Sequence, residues 1–221
     1  MAKPETTHLG VGLYSIAEAS RILRTHHRRL ARWLNPDTGI VTRRFDPSER
    51  TISFVELMEL HFIKMFCDEG VSLQTIRKAS LAAAQKYKTN YPFCVKRFDT
   101  DGRTIFATMV KKESKTEVIE DLKRGQFVFA KVMKPFFHKL EYGKTAEPMR
   151  FWPREKSGRV VLDPARRFGK PIEAETGVPT RAIYEALSAG CGQDEATVAK
   201  WLGIPVAAVR AAAAYERDLA A

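Results

Sequence analysis

The stretch 15–33, SIAEASRILRTHHRRLARW, constrains the fold of this chain more than any other. Ser15 and Glu18 form a capping box, in which the hydroxyl and the carboxylate each bond a free backbone N–H at a helix start. The pattern predicts a helix that begins at Ile16 and buries apolar residues at three-to-four spacing. We expect Thr25 to cap a second helix that packs against the first.

The second helix has an apolar side and an arginine-rich side. Its apolar side holds Leu30, Trp33 and Leu34, with His27 expected to pack there, and its outer side holds Arg28, Arg29 and Arg32. A helix that packs on its neighbour and projects guanidinium groups is typical of the recognition helix of a helix-turn-helix, which lies in the DNA major groove. The alternative interpretation is a solvated basic helix in a small helical domain.

The residues after the second helix predict two turns and a short β-wing. Residues 35–39 and 46–48 favour turns, and 40–45 alternates as a strand does. Arginines in such a wing would contact the phosphates beside the groove and position the helix without reading bases. The residues predicted to contact DNA in the helix pair and the wing are Thr25, His26, Arg28, Arg29, Arg32, Arg43, Arg44 and Arg50.

The charge distribution favours double-stranded DNA as the partner of the N-terminal part. The formal net charge is +11, which favours nucleic acid first and an anionic membrane surface second. Residues 21–50 hold eight arginines, three acidic residues and no lysine, whereas 159–221 hold eight basic and eight acidic residues. Arginine suits phosphate and guanine because its fork donates two parallel hydrogen bonds. The two ends therefore predict different partners.

Two further helices follow the predicted wing. Ser53 and Glu56 form a second capping box, and the helix behind it, 54–66, is apolar around its circumference. Such a helix is buried by more than one neighbour, and a second subunit is one candidate. A single recognition helix also contacts few base pairs, so we expect a homodimer. Gly70 ends this helix and Ser72 caps the next.

The motifs of the chain, taken in order, resemble a known family. The segments 32–34 (RWL), 54–60 (FVELMEL) and 70–77 (GVSLQTIR) are similar to winged helix-turn-helix domains of the MerR type, and more similar to the first half of a branch of VapB-type antitoxins. The run 160–172 (VVLDPARRFGKPI), followed by 177–180 (GVPT), resembles the C-terminal domain of unknown function common in that branch. The resemblance covers nearly the whole chain.

The resemblance implies a DNA-binding antitoxin of a type II toxin–antitoxin system, which represses its own operon and neutralises a PIN-like ribonuclease toxin. Such antitoxins place DNA binding first and toxin binding later, so we expect the toxin beyond residue 159 and the two activities to be separable. The acidic residues predicted to meet the toxin are Glu173, Glu175, Asp194 and Glu195. The chain lacks the long coiled coil and the effector-sensing cysteines of MerR activators, so metal or small-molecule sensing is not expected.

The middle region and the C-terminal part complete the predicted α+β, predominantly helical fold. Its three parts are a winged helix-turn-helix domain (1–90), a mixed strand and helix region (91–155) and a small three-helix domain with helix-turn-helix spacing (156–221), with the main boundary at 153–158. In the middle region, we predict strands at 94–98, 104–110, 137–142 and 149–152, and helices at 117–123 and 127–137. Asp101 and Gly102 predict a hairpin between the first two strands. We expect Thr180 to cap the first C-terminal helix, 194–202 to form the second with Gly203 at its end, and a third to run toward Ala221.

Two alternatives to the antitoxin remain. The first is a free-standing transcription regulator with the same DNA-binding domain. The second is a metal-dependent nuclease, because Asp101 followed by Glu113 and Lys115 resembles a magnesium site with an E-x-K strand. The E-x-K pattern is frequent by chance in a chain with 29% charged residues, so we expect no enzyme activity.

The cysteines and histidines predict no metal site and no cofactor. The cysteines, which are odd in number and far apart, are Cys67, Cys94 and Cys191. His26 and His27 are adjacent and nothing nearby completes a ligand set, while His61 and His138 lie in apolar stretches typical of core residues. The chain has no apolar run long enough to span a bilayer and no basic-then-apolar leader, so we expect a cytoplasmic protein.

Overall fold

The structure is a computed structural model that describes residues 10–46, 49–112, 116–189 and 194–220, with the side chains of 110–112, 116–119 and 132 outside this description. The helices are α1 (Ile16–Leu23), α2 (His27–Trp33), α3 (Phe54–Asp68), α4 (Leu73–Tyr87), α5 (Lys96–Lys112), α6 (Thr116–Val128), α7 (Lys134–Phe137), α8 (Thr180–Ala189), α9 (Glu195–Leu202) and α10 (Val206–Ala220). The strands are β1 (Tyr14–Ser15), β2 (Thr51–Ile52), β3 (Leu140–Tyr142), β4 (Pro148–Phe151), β5 (Val160–Leu162) and β6 (Pro171–Glu173). Helices predominate over two small antiparallel sheets, which confirms the α+β class.

Both predicted capping boxes are present. The Ser15 hydroxyl accepts from the Glu18 N–H at 3.1 Å, and the Glu18 carboxylate accepts from the Ser15 N–H at 2.9 Å. Ser53 and Glu56 make the same reciprocal pair at the start of α3. These local bonds satisfy N–H groups that the first turn leaves unpaired, and they begin α1 and α3 at the predicted residues.

The cap of α2 is one residue later than predicted. Arg24 ends α1 in the left-handed conformation (φ 48°), and the Thr25 N–H donates to the Ser20 carbonyl. This pattern closes a helix C-terminus, so Thr25 belongs to the end of α1. The cap of α2 is His26, whose Nδ1 accepts from the Arg28 N–H at 3.2 Å. The prediction of Thr25 as the cap is therefore wrong.

The predicted β-wing is not formed, because 40–45 has no strand partner among the described residues. β2 pairs instead with β1, which lies directly before α1. Arg43 explains the difference, since its Nη2 donates to the Glu49 and Thr51 carbonyls at 3.1 and 2.6 Å. The Arg43 side chain thus bonds the carbonyl groups with which a strand at 40–45 would otherwise pair.

α3 is buried within its own chain. Its Phe62 packs on Phe136 and Phe137 with ring centroids 5.0 and 4.9 Å apart, and its Phe66 packs on Phe93 and on Phe106 of α5. The apolar circumference of this helix is therefore covered by the middle region, and it is no longer a reason to expect a second subunit. The homodimer stays a prediction that rests on the small number of base pairs one helix can read.

Glu59 of α3 is a buried carboxyl group. It accepts hydrogen bonds from the N–H groups of Phe93 and Cys94, both at 3.1 Å. Desolvation by burial outweighs these bonds and raises the pKa of Glu59 from 4.5 to about 8. The folded protein therefore holds a proton that the unfolded chain releases above about pH 4.5, so this stabilisation is complete below that pH and is lost as the pH rises through 8.

We predict that Glu59→Gln flattens the dependence of stability on pH. Glutamine keeps an acceptor for both N–H groups but does not ionise, so the wild type alone should lose up to about 1.4 kcal/mol of unfolding free energy per pH unit between pH 5 and 8. Urea unfolding of both proteins at pH 5, 6, 7 and 8 measures the difference. Parallel curves would contradict a raised pKa at Glu59.

α5 replaces the hairpin predicted from Asp101 and Gly102. Both residues lie inside this helix, where a Cβ built on Gly102 would stand 2.3 Å from the ring of Phe129. Gly125 of α6 makes the same kind of approach to Phe106, at 2.6 Å. These glycines allow aromatic rings to pack directly on the backbone of each helix, so Gly102 serves helix packing and not a turn.

The two helices predicted at 117–123 and 127–137 form one continuous run. α6 passes into a π-helical turn, Phe129–Met133, and then into α7. Pro135 lies in the first turn of α7. Pro135 has no backbone N–H to donate to the helical hydrogen-bond pattern. The π-turn changes that pattern directly before the proline, so the helix continues past it.

The larger sheet has the order β3-β4-β5-β6 and crosses the predicted domain boundary. β3 and β4 are the strand pair predicted at 137–142 and 149–152. β4 pairs with β5 through Phe151 and Leu162, so 153–158 joins two strands of one sheet.

The C-terminal helices α8, α9 and α10 surround a small apolar core of their own. Asp194 caps α9 through the Thr197 N–H, and Gly203 ends this helix in the left-handed conformation, as predicted for Gly203. Thr180, predicted as a cap, is the first residue of α8, and its hydroxyl donates to the Glu216 carboxylate at 2.5 Å.

Two sets of contacts join this C-terminal part to α1. The Glu216 carboxylate also accepts from Arg21 at 2.5 Å and is 3% exposed. The Leu13 N–H and the Tyr14 hydroxyl donate to the carbonyls of Phe168 and Gly169 at 2.8 and 2.6 Å. Gly169 has a positive φ (80°), and a Cβ there would stand 2.3 Å from the Tyr14 hydroxyl oxygen. The segment 168–170 (FGK) therefore connects the C-terminal part to the residues directly before α1.

Candidate nucleic-acid interface

α2 presents a basic outer face. Leu30 and Trp33 are buried against the core, whereas Arg28 and Arg32 are exposed. The two arginines are four residues apart, so they share one face of the helix. Neither makes an ion pair with any residue that the structure describes. Like charges at this spacing destabilise a helix, and a polyanion over the face would remove that cost.

A wide groove lies beside this face. It has a volume of about 950 Å³ and is bordered by α1, the start of α2, Arg50 and Leu219. Its basic residues are Arg24, Arg50 and Arg21, the last of which is paired with Glu216, and His26 and His27 also line it. No acidic residue is among the described residues that line it. The groove and the outer face of α2 therefore form a continuous surface suited to a polyanion.

Two of the arginines predicted to contact DNA form ion pairs within the protein instead. Arg29 donates to the Asp68 carboxylate at 3.1 Å, and its guanidinium carbon lies 4.8 Å from the centre of the Trp33 ring. Arg43 is 9% exposed and pairs with the buried Glu56 at 3.1 Å. Both arginines hold the helix pair on α3, and the buried pair of Arg43 argues against its contact with phosphate.

Of the other predicted DNA contacts, Thr25, His26 and Arg50 line the groove, whereas Arg44 lines a separate pocket with Glu147 and Asp163. Arg44 and Arg50 are exposed, His26 is the exposed cap of α2, and Thr25 lies half-buried at the start of the turn. Two residues of this surface were missed: Arg24, which is exposed at the end of α1, and His27, which is exposed instead of packed. Arg24 could have been found from its place in the turn between the two helices.

The four acidic residues predicted to meet a toxin all have partners within the chain. Glu173 is buried and accepts from Arg159 at 3.0 Å, and Glu175 accepts from the same arginine at 2.6 Å. Asp194 is the cap of α9, and Glu195 accepts from Arg210 at 2.5 Å. Glu173 in particular cannot offer its carboxylate to another protein, because the side chain is fully enclosed.

The residues of the nuclease alternative do not form the predicted site. Asp101 lies on α5 and pairs with Lys86 at 2.6 Å, while Glu113 and Lys115 lie outside the described residues. The separate strand predicted at 104–110 is wrong, because this segment belongs to α5. Among the described residues, no group of three or more His, Cys, Asp or Glu side chains could hold a metal ion.

The remaining histidines and cysteines lie outside the groove and the outer face of α2. His61 is half-buried and packs against Phe136 and Phe151, whereas His138 is exposed, so the prediction of a core residue is wrong for His138. Cys67 and Cys94 are free thiols, and Cys191 lies outside the described residues. None of the helices in the described ranges combines the length and the apolar character needed to cross a bilayer.

The fold and the sequence are similar to those of known proteins, although no protein-family model matches the chain. The fold is similar to the crystal structure of Rv2018 from Mycobacterium tuberculosis, with a TM-score of 0.75, 22% identity and coverage of 92% of this chain and 98% of that chain. The sequence is 26% identical over 203 residues to a Mycobacterium tuberculosis protein named "Putative antitoxin VapB45", a match that spans 81% of this chain and 84% of that protein.

Proposed function

We propose that this protein is a DNA-binding antitoxin that represses its own operon and neutralises a PIN-like ribonuclease toxin. The observation that carries the DNA-binding part is the surface formed by the outer face of α2 and the groove, which is rich in arginine and lined by no described acidic residue. The similarity to a protein named as an antitoxin supports the toxin-binding part.

In this proposal, the exposed arginines have two kinds of role. Arg28 and Arg32 of α2 read base edges in the major groove, where guanidinium groups bond guanine. Arg24 and Arg50, which line the groove, contact the phosphates beside it and fix the helix in place. Two copies of the chain bind the two halves of a palindromic operator, since one helix of this length reads few base pairs.

The toxin is proposed to bind α9 of the C-terminal part, whose residues do not line the groove. The acidic residues predicted for this contact are paired internally, so we place the contact on α9 at Trp201, whose side chain is 73% exposed. Tryptophan is among the residues that most often dominate the energy of protein interfaces. Phe168, the other large apolar residue exposed beyond residue 159, belongs to the loop that contacts Leu13.

We predict that Trp201→Ala weakens toxin capture by about 2 kcal/mol, or roughly 30-fold, because it removes an anchor side chain from the interface. Leu81→Ala is the matched control, since Leu81 is 59% exposed on α4, far along the chain from α9. The toxin encoded beside this gene would be co-expressed with each variant, and the dissociation constant measured by calorimetry. Equal affinity for all three proteins would place the contact elsewhere.

The free-standing regulator is tested by the same co-expression. An antitoxin must form a stable complex with the product of the neighbouring gene and relieve its toxicity. A regulator of this class would bind its promoter but leave that product free in gel filtration. Promoter binding without complex formation would therefore replace the antitoxin proposal by the regulator.

A further inference from the structure

A second, smaller cavity lies between the N-terminal and C-terminal parts of the chain. Its volume is about 370 Å³, within the range of roughly 300–1,000 Å³ that is usual for small-molecule sites. α1, α3, α7, β4 and α10 all contribute to its lining. Neither the DNA-binding surface nor the toxin-binding role proposed above requires this cavity, which shares Arg24 and Leu219 with the wide groove.

One side of the cavity is aromatic and apolar. The rings of His61, Phe136 and Phe151 lie against each other, with centroids 4.4, 5.5 and 5.1 Å apart, and Leu23 and Met65 extend this side. Burial lowers the pKa of His61 to about 3, so its ring is neutral at physiological pH. A flat apolar body can pack on such a cluster, because aromatic rings gain from offset or edge-on contact.

The charged side chains that line the cavity are mostly basic. Arg24, Lys64, Lys139 and Arg154 line it, whereas Asp218 is the one acid among its described lining residues. Asp218 lies 3.5 Å from Arg154, and Lys64 pairs with Asp68 outside the cavity. Lys139 donates to the Pro153 carbonyl at 3.2 Å, and neither it nor Arg24 forms an ion pair with a described residue. The cavity therefore carries an excess of positive charge.

Two lining side chains also have buried polar atoms without a hydrogen-bond partner among the described residues. These atoms are Nδ1 of His61 and the hydroxyl oxygen of Tyr215, a side chain that is 3% exposed. Burial raises the pKa of Tyr215, so it remains a hydroxyl donor. Unpaired buried polar atoms are costly, and a native structure usually keeps them for a ligand, a water molecule or an ion.

We propose that this cavity binds a small aromatic acid, with the apolar ring on the His61–Phe136–Phe151 side and the carboxylate toward Lys139, Arg154 and Tyr215. The ring cluster supplies the contact area for the aromatic body. The basic side chains and the Tyr215 hydroxyl supply donors for the anion, and hydrogen bonds to a charged group are stronger than those between neutral groups. This site is independent of whether the protein is an antitoxin.

The test uses fluorescent 2-naphthoate as the probe and the full-length protein without DNA or toxin. We expect saturable binding of one molecule per chain, at least tenfold tighter than for neutral 2-naphthamide, which has the same shape, and for acetate, which lacks the ring. Lys139→Met/Arg154→Met should weaken binding at least tenfold, and Tyr215→Phe about threefold. Arg181→Met/Arg210→Met removes the same charge from exposed sites on α8 and α10 and should leave it within twofold.

Three results would overturn this inference: no saturable binding of 2-naphthoate, equal binding of the amide, or an equal loss in both double variants. Each would leave the DNA-binding proposal intact, because the assay contains no DNA. If Tyr215→Phe lowers the melting temperature, the two double variants still decide the outcome, since three of the four substituted arginine and lysine side chains are exposed and Lys139 is half-buried.

Discussion

Replacing Arg28 and Arg32 together by alanine should lower affinity for the protein's own promoter about 100-fold or more. Each arginine that bonds a base edge in two places contributes roughly 1–3 kcal/mol of discrimination, and this variant removes both. Neither side chain has an ion pair among the described residues, so the fold should be unaffected. Fluorescence anisotropy with promoter DNA and an unrelated duplex measures the loss, which should be much larger for the promoter.

The matched control for this variant is Arg24→Ala/Arg50→Ala, which removes two proposed phosphate-binding side chains. It should weaken binding to both duplexes alike and reduce the slope of log affinity against log salt by about one unit for each arginine replaced. Arg181→Ala/Arg210→Ala, with the same change in net charge, should alter neither quantity. Promoter affinity that survives the replacement of Arg28 and Arg32 would show that α2 does not read the operator.

Residues 1–90 expressed alone should fail to fold. The fragment would expose Phe62 and Phe66 of α3, which pack on residues beyond 90, and burial of such side chains is worth about 1.5–3 kcal/mol each. It would also lack the partner of Arg21 and the carbonyls that Leu13 and Tyr14 bond. Together these effects approach the roughly 5–15 kcal/mol that keeps a domain folded.

Circular dichroism and thermal unfolding test this prediction. The fragment should show no cooperative transition and no promoter binding, whereas mixing it with residues 91–221 should restore both in part. A cooperative transition in the isolated fragment would support the predicted winged helix-turn-helix domain that ends at residue 90. The sequence predicted two separable activities, and the packing of α3 is the reason that we now expect one folding unit.

The sequence predicted those features whose causes lie close together along the chain. The capping boxes at Ser15 and Ser53 depend on residues within one turn, so α1 and α3 begin where expected. The antiparallel pair of β3 and β4 follows from a short connection between two apolar segments. The outward arginines of α2 follow from helical periodicity, which needs no knowledge of the rest of the fold.

The errors arose where a distant residue decides the local structure. The sequence predicts a turn at Gly102. In the structure, this glycine lies in a helix because the ring of Phe129, 27 positions later, packs on its backbone. The sequence predicts a DNA contact at Arg43, and the buried pair of this arginine with Glu56 argues against that prediction. The acidic residues near the C-terminus predict a free acidic surface, although Arg159 and Arg210 neutralise three of them: Glu173, Glu175 and Glu195.

The contacts between α1 and the C-terminal part determine when the protein can become active during its synthesis. Tyr14 and Gly169 are 155 positions apart, and Arg21 and Glu216 are 195 positions apart. Contacts between residues so distant in sequence form late and slow folding, because the intervening chain must be ordered first. The helix pair leaves the ribosome early but lacks these partners until α10 has been translated. A nascent chain should therefore be unable to occupy the operator, and repression should report only on completed molecules.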